Sequence, residues 1–305
     1  MISIVSPVYG AASLVETLVD QLLKEVGEIT SDFEILLVED GSPDKSWESI
    51  VSCCEKDKRI KGYKLSRNFG QHNAIMAGLS MAQGEWIVVM DCDLQDRPDQ
   101  IKKMYDKALT GFDAVLAQRT VRVDSLLKRL SSKVFYAIFS YFTDTKQDNA
   151  IANFGVYSRS LINGVLSMGD SVKFFPTMIN WVGFNKTVQE VEHGKRLEGK
   201  SSYTFTKLVK LAMDNIISFS DKPLWLVVRF GFLMSLFSFS LGLYFVIKYF
   251  SLGIPVVGYT SLIVSIWFLS GVIIFILGLI GIYIGKTFAQ SKNRPNFIID
   301  SVTND

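Results

Sequence analysis

Along the first half of the chain, compact apolar runs alternate with stretches of helical period. "ISIVSPV", "FEILLVED", "IKGYKLS" and "EWIVVMD" are the runs, and helical patterns lie between them at about Ala12 to Val26, around Lys45–Lys56 and around Asn73–Ala82. The runs are continuous rather than strictly alternating, which marks strands buried on both faces and therefore a mostly parallel sheet covered by helices. The pattern predicts a doubly wound α/β architecture. Such sheets bind ligands beyond the carboxyl ends of their strands, near the switch in strand order. Polar residues collect at those ends: Pro7 and Tyr9 after the first run, Glu39 and Asp40 after the second, Ser66, Arg67 and Asn68 after the third, and Asp91, Asp93 and Gln95 after the fourth.

Beyond Pro223 the alternation stops, and neither Phe230–Ile247 nor Ser251–Gly285 carries a charge. A hydrocarbon core about 30 Å thick needs roughly 20 apolar helical residues. Leu224–Tyr249 and Tyr259–Tyr283 each suffice, so two transmembrane helices are expected. Buried core helices of this length would show a polar stripe. Lys222 and Arg229 precede the pair, Lys286, Lys292 and Arg294 follow it, and the connection "SLGIPVVGYT" is uncharged. The positive-inside rule then puts both ends in the cytosol and the short loop outside, with Lys248 slightly reducing the asymmetry. Gly271, Gly278, Gly281 and Gly285 would permit close helix contact, in a homo-oligomer or between the two spans of one chain.

Two stretches ahead of the spans are amphipathic. In "DSLLKRLSSKVFYAIFSYF", Leu126, Leu127, Leu130, Val134, Ile138 and Phe142 recur at helical spacing among Lys128, Arg129 and Lys133. In "FTKLVKLAMDNIISFS", Phe205, Leu208, Val209, Ala212, Ile216 and Phe219 lie opposite Lys207 and Lys210. Both patterns suit core-facing helices. Ahead of a membrane anchor, Lys on one face and Phe or Leu on the other fit the bilayer interface, and interfacial amphipathic helices are the expectation.

The chain opens at "MISIVSPVYG" in a strand pattern with no signal-peptide pattern ahead of it, so the N-terminal domain is expected to stay in the cytosol. Cys53, Cys54 and Cys92 form no CxxC pair, as in a reducing compartment. A net charge of +2 gives no footprint for nucleic acid.

The motifs exclude several chemistries. The chain contains no GxxxxGK[ST], and after the first strand it reads "SPVYGAAS" where a dinucleotide fingerprint would need GxGxxG. It has no GxSxG nucleophile elbow. What remains is "VVMDCDLQD". Alternation along a strand end puts Asp91 and Asp93 on one side and Cys92 on the other. Two carboxylates and the Gln95 amide oxygen form a hard donor set suited to Mg²⁺ or Mn²⁺, completed by waters and the phosphate oxygens of a substrate. Asp96, just before Arg97 and Pro98, reads instead as a helix N-cap.

"SIVSPVYG", "VEDGSPDKS", "LSRNFGQHNA" and "MDCDLQDRPD", in this order and spacing, resemble the A-fold inverting glycosyltransferases of family 2. The nearest branch is the one acting on polyprenyl phosphates, which includes dolichol-phosphate mannose synthases and bacterial undecaprenyl-phosphate glycosyltransferases. The resemblance covers about residues 1–220 and extends to the paired spans of bacterial members. It implies that Pro7 and Tyr9 line the nucleotide base, that Asp40 hydrogen-bonds the uracil or ribose, and that Arg67 lies near the base or diphosphate. Asp91 would contact the ribose–diphosphate side, with Asp93 and Gln95 on the metal. Arg119 and Arg122, with Lys128 or Arg129 and Ser132, would meet the acceptor phosphate. Arg196, Lys200, Ser201 and Tyr203 of "KRLEGKSSYTF" would close over donor and acceptor. Two departures stand out. The QxxRW signature of processive polysaccharide synthases is absent, and Asn153, Phe154 and Gly155 replace the Asp–Phe–Arg triplet of many relatives.

The resulting expectation is an A-type glycosyltransferase domain over residues 1–204, a juxtamembrane amphipathic helix over 205–222, two transmembrane helices within 223–288 and a cytosolic tail over 289–305. The implied reaction is inverting, metal-dependent sugar transfer, from a UDP-sugar or other nucleotide sugar to undecaprenyl phosphate, at the cytoplasmic face of the inner (plasma) membrane. Its product would be a lipid-linked sugar for cell-envelope polysaccharide. Two alternatives stay open: a membrane-anchored nucleotide-sugar adaptor without turnover, and a transferase acting on a soluble saccharide.

Overall fold

The structure is a computed structural model and describes residues 1–119, 141–142, 151–170, 173–191, 216–217, 220–252 and 258–304. The chain divides into a unit of Met1–Val209 with Arg294–Asp305 and a unit of Lys210–Asn293.

In the first unit the apolar runs become β1 (Ile2–Val8), β2 (Phe33–Glu39), β3 (Ile60–Leu65) and β4 (Trp86–Val89). Every residue of β1 and β2 is buried, as strands covered on both faces require. Between them run α1 (Val15–Gly27), α2 (Ser46–Lys56) and α3 (Gln71–Met81). Helix α1 turns Val15, Leu18, Val19, Leu22 and Val26 to the core at helical spacing, whereas α3 buries every residue from Ala74 to Leu79. After α4 (Ile101–Ala108) come β5 (Ala114–Arg119), β6 (Ile151–Ser158), α5 (Arg159–Leu166), α6 (Phe175–Trp181) and β7 (Lys186–Val191).

The sheet has eight strands in the order β7-β5-β6-β4-β1-β2-β3-β8. β1 pairs in parallel with β2 and β4, and β2 with β3, so the order reverses at β1. β6 is antiparallel to both β4 and β5. β5 therefore runs in the direction of β4, and β7 pairs with it in parallel. The carboxyl ends of β1 to β5 and of β7 thus share one edge, the expected ligand-binding edge. The architecture matches the expected doubly wound, mostly parallel A-type α/β fold, with the antiparallel β6 and β8 making the sheet mixed.

The eighth strand was not anticipated. Residues 289–305 read as a tail, yet β8 (Ile299–Thr303) pairs antiparallel with β3, with Gly62 opposite Thr303 and Tyr63 opposite Val302. It closes an edge that would otherwise expose a row of unpaired N–H and C=O groups.

The second unit contains α7 (Lys222–Leu252) and α8 (Tyr259–Ser291). Both hold windows long and apolar enough to cross a membrane, at Lys222–Leu241 and Ser265–Ser291. Their large apolar side chains face outward, Phe232 68% and Trp267 78% exposed. Such exposure in a helix apolar all round suits lipid rather than water. The Tyr283 hydroxyl donates to the Ser220 carbonyl at 2.9 Å, joining the start of one helix to the latter part of the other.

Candidate active site

The acidic loop begins where Met90 N–H donates to the Val5 carbonyl at 3.1 Å and the chain leaves β4. From there burial alternates: Asp91, Asp93 and Gln95 are half-buried, while Cys92, Leu94 and Asp96 are buried. The pattern puts the two carboxylates and the amide on one face. Asp91 Oδ1 accepts from Gln71 Nε2 at 2.6 Å, and Asp93 Oδ1 accepts from Gln95 N–H at 3.1 Å. Leu94 adopts a positive φ of 57°, rare for a residue with a Cβ, and its side chain is locked in the core cluster. Cys92 packs inward as expected. Burial pushes its thiol up to about 12, the Asp91 charge adds to the shift, and the Tyr9 backbone N–H hydrogen-bonds the sulfur and opposes it.

Asp96 is not the expected N-cap. The short 3₁₀ turn at Pro98–Gln100 is preceded by Arg97, whose side chain makes no capping bond. Asp96 is itself only 3% exposed and forms a β-bridge. The alternation through the loop explains the difference: inward placement of Cys92 and Leu94 carries Asp96 inward too. Burial raises the pKa of the Tyr157 hydroxyl, and the charge of Asp96 raises it further.

The neighbouring rim is braced by side chains of the loop after β2 and of the first residue of α2. Gly10 N–H donates to Ser42 Oγ at 3.2 Å, Ala11 N–H to Ser46 Oγ at 3.1 Å and Ala12 N–H to Asp44 Oδ2 at 3.1 Å. Burial alone would push the Asp44 carboxyl up, but the bonds from Ser46 and Ala12 together hold it below the usual carboxylate range. Asp40 is 1% exposed, and its carboxylate accepts from Phe69 N–H at 2.6 Å and Gly70 N–H at 2.9 Å. Burial raises its pKa, and those two N–H groups offset part of the rise. Its carbonyl takes the Asn68 side-chain amide at 3.0 Å. Asp40 therefore organises the loop after β3. Arg67 on that loop is exposed, with its guanidinium 4.2 Å over the Phe69 ring.

Tyr9, Asp40, Arg67, Asp91, Asp93 and Gln95 thus stand at the carboxyl ends of four neighbouring strands. Of the two residues expected beside a base, Tyr9 is 53% exposed, while Pro7 is buried within β1 opposite Val38. Arg119 is the last residue of β5 and so falls on the same edge. Arg122, Lys128, Arg129, Ser132, Arg196, Lys200, Ser201 and Tyr203 lie outside the described residues, as do most of both amphipathic stretches. The chain enters the stretch after β5 and the one after β7 from this same edge. At the altered triplet, a Cβ on Gly155 would lie 2.5 Å from the Tyr157 hydroxyl, which donates to the Asn153 carbonyl at 3.1 Å. Tyr157 fills the space a side chain at 155 would need.

Among the described residues no three His, Cys, Asp or Glu side chains cluster as metal ligands. Asp91, Asp93 and Gln95 nevertheless bring to one face the oxygen donors that fit a hard divalent cation. Sequence reasoning missed Gln71, which orients Asp91, although it lies inside the quoted "LSRNFGQHNA". It also missed the bracing by Ser42, Asp44 and Ser46.

A doubly wound, mostly parallel sheet with an acidic pair at the end of its fourth strand and polar loops along the same edge has the form of an A-type glycosyltransferase. The family model for Glycosyl transferase family 2 matches residues 3–165, and the chain belongs to that family. A bactoprenol glucosyl transferase of Shigella phage SfV is 33% identical over 98% of this chain and 97% of its own length. An undecaprenyl-phosphate 4-deoxy-4-formamido-L-arabinose transferase of Photorhabdus laumondii is 30% identical over 100% of this chain and 94% of its own. Among solved structures, the Mycobacterium tuberculosis glucosyl-3-phosphoglycerate synthase in complex with Mn²⁺, UDP-glucose and phosphoglyceric acid shares the fold. It aligns at a TM-score of 0.50 and 14% identity, over 72% of this chain and 78% of its own.

Proposed function

We propose that this chain transfers a sugar from a nucleotide diphosphate donor, a UDP-sugar, to undecaprenyl phosphate at the cytoplasmic face of the membrane, with inversion at the anomeric carbon. The observation that carries the reading is the acidic face of Asp91, Asp93 and Gln95 in a chain that also bears two helices able to cross a membrane. The activities for which the two relatives are named support a polyprenyl-phosphate acceptor, because both match this chain over nearly its whole length, apolar helices included. The chain leaves the sheet-bearing unit for α7 and rejoins it at β8, as two crossings with both ends on one side require.

In this reading Tyr9 and Arg67 flank the nucleotide, on loops held by Ser42 and Asp40. Gln71 and the Gln95 N–H orient the Asp91 and Asp93 carboxylates, which with the Gln95 amide would hold Mg²⁺ or Mn²⁺. When bound, the cation neutralises charge on the departing diphosphate. Arg119, Arg122, Lys128, Arg129 and Ser132 receive the lipid phosphate, whose charge such donors match, and Arg196, Lys200, Ser201 and Tyr203 close over the pair. A phosphate oxygen attacks C1. The new C1–O bond forms as the bond to the donor diphosphate breaks, and the nucleoside diphosphate leaves with the electron pair. The attacking oxygen is already anionic at neutral pH, so no general base is required.

Radiolabelled transfer by the purified full chain, with a panel of nucleotide sugars and with or without undecaprenyl phosphate, tests the reading. Lipid-dependent transfer that is lost in Asp93→Ala, while that variant still inserts in membranes, is the expected result. Equal transfer to a soluble saccharide without lipid, or full activity of Asp93→Ala, would overturn it.

A further inference from the structure

The C-terminal strand does more than cover an edge. Its ladder with β3 is regular from Gly62–Thr303 to Lys64–Ser301, then shifts register before Leu65 meets Ile299. Just past that bulge the Ile298 carbonyl accepts the N–H of Ser66 at 3.0 Å. Ser66 lies outside β3 and opens the loop that carries Arg67 and ends at Gly70. This short loop has two anchors. At its far end Phe69 and Gly70 are held by the Asp40 carboxylate, and at its near end Ser66 is held by Ile298.

The strand in turn is locked at its own end. Thr303 Oγ1 accepts Gly62 N–H at 3.1 Å and donates to Cys54 Sγ at 2.9 Å. Asn304 adopts a positive φ of 55°, which aims its side-chain amide at the Cys54 carbonyl, 2.5 Å, and the Ile60 carbonyl, 3.1 Å. These bonds fix the register of β8 on β3, and register decides where the Ile298 carbonyl falls.

We propose that the strand from Ile298 to Asn304 is a positioning element of the donor site: clamped at Asn304 and bonded through Ile298 to Ser66, it sets the Arg67 loop and thereby the affinity for the donor's nucleoside diphosphate. The inference rests on the donor-site reading above. It makes the segment after the second apolar helix part of substrate recognition, although none of its residues is assigned a contact with substrate.

The test uses the full chain in lipid–detergent micelles, with UDP as binding probe. Two variants are compared with the unaltered protein: Asn304→Gly, which keeps the backbone conformation and removes the clamping amide, and a deletion of residues 294–305. Amide hydrogen exchange across residues 62–70 reads the loop. Steady-state kinetics separate donor KM from kcat. Faster exchange at Ser66 to Gly70 with a donor KM raised roughly 3- to 10-fold, the loss of about one hydrogen bond, is expected at unchanged kcat and acceptor KM. Added peptide 294–305 should restore the donor KM of the deletion variant. If the deletion fails to fold, Asn304→Gly decides alone. Faster exchange without a change in donor KM, or a fall in kcat at constant KM from lost folded protein, would overturn the proposal. Failure of the unaltered chain to bind UDP or any other nucleoside diphosphate would instead overturn the donor-site reading, and this role with it.

Discussion

Gly41 and Gly10 offer a matched pair for measuring how tightly the loops at the carboxyl ends of the strands are built. Both have the same left-handed backbone, with φ of 63° and 62°. A Cβ added at Gly10 meets nothing within 4 Å, whereas one at Gly41 falls 2.6 Å from the Arg67 carbonyl carbon and closer still to the Asn68 nitrogen. The first substitution therefore carries only the backbone penalty of an L-residue in that region, about 1–2 kcal/mol. The second adds an overlap with main-chain atoms that must move by roughly 1 Å to reach ordinary contact. Those atoms are held by the bonds of Asn68, Phe69 and Gly70 to Asp40, so relief is resisted. Overpacking of this kind adds about 1–3 kcal/mol. Gly41→Ala should accordingly melt about 2–12 °C below Gly10→Ala in the sheet-bearing unit. It should also raise donor KM, since the Arg67 loop is what moves. Thermal unfolding of the full chain in micelles, with donor kinetics on the same samples, measures both. Equal melting of the two variants would refute the close packing of the Gly41 turn against the Arg67 loop.

Two other outcomes follow from a half-buried histidine and three buried thiols. His72 packs edge-on to Phe174 with ring centroids 4.6 Å apart, its Nδ1 has no hydrogen-bond partner, and burial pulls its pKa from 6.5 down to about 4. The folded state then binds fewer protons than the unfolded state between those values. The stability His72 contributes is present above pH 6.5 and lost as pH falls through about 4, by up to ~3 kcal/mol. His72→Phe should flatten the dependence of melting temperature on pH across that window, and an unchanged slope would refute the assignment. All three cysteines are buried, with Cys53 pushed up to about 11 and Cys92 to about 12 by burial. Maleimide at pH 7.5 should leave the native chain unlabelled and modify all three thiols on unfolding; rapid native labelling would contradict the packing.

The features legible in the sequence are those governed by local periodicity. β1 and β2 could be read because a strand covered on both faces must be apolar throughout, and every residue of both is buried. α7 and α8 were legible because each carries an uninterrupted apolar window long enough to cross a membrane. The acidic pair was legible because strand alternation separates Asp91 and Asp93 from Cys92, and the structure continues that alternation to Gln95 and Asp96.

What the tertiary structure decided depends on partners distant in the chain. "IDSVT" has no apolar run to mark it as a sheet strand, and it becomes β8 only because β3 presents an open edge to it. Asp96 resembled a cap in its local context, but the inward side of the loop claims it. Asp40 stands at a strand end in the local pattern, and only the fold brings the N–H groups of Phe69 and Gly70 to its two oxygens. Local pattern reports which face of an element is apolar. Which backbone edge lies open, and which N–H reaches a given carboxylate, is set only when remote segments pack together, and those pairings fix the loops at the carboxyl edge of the sheet.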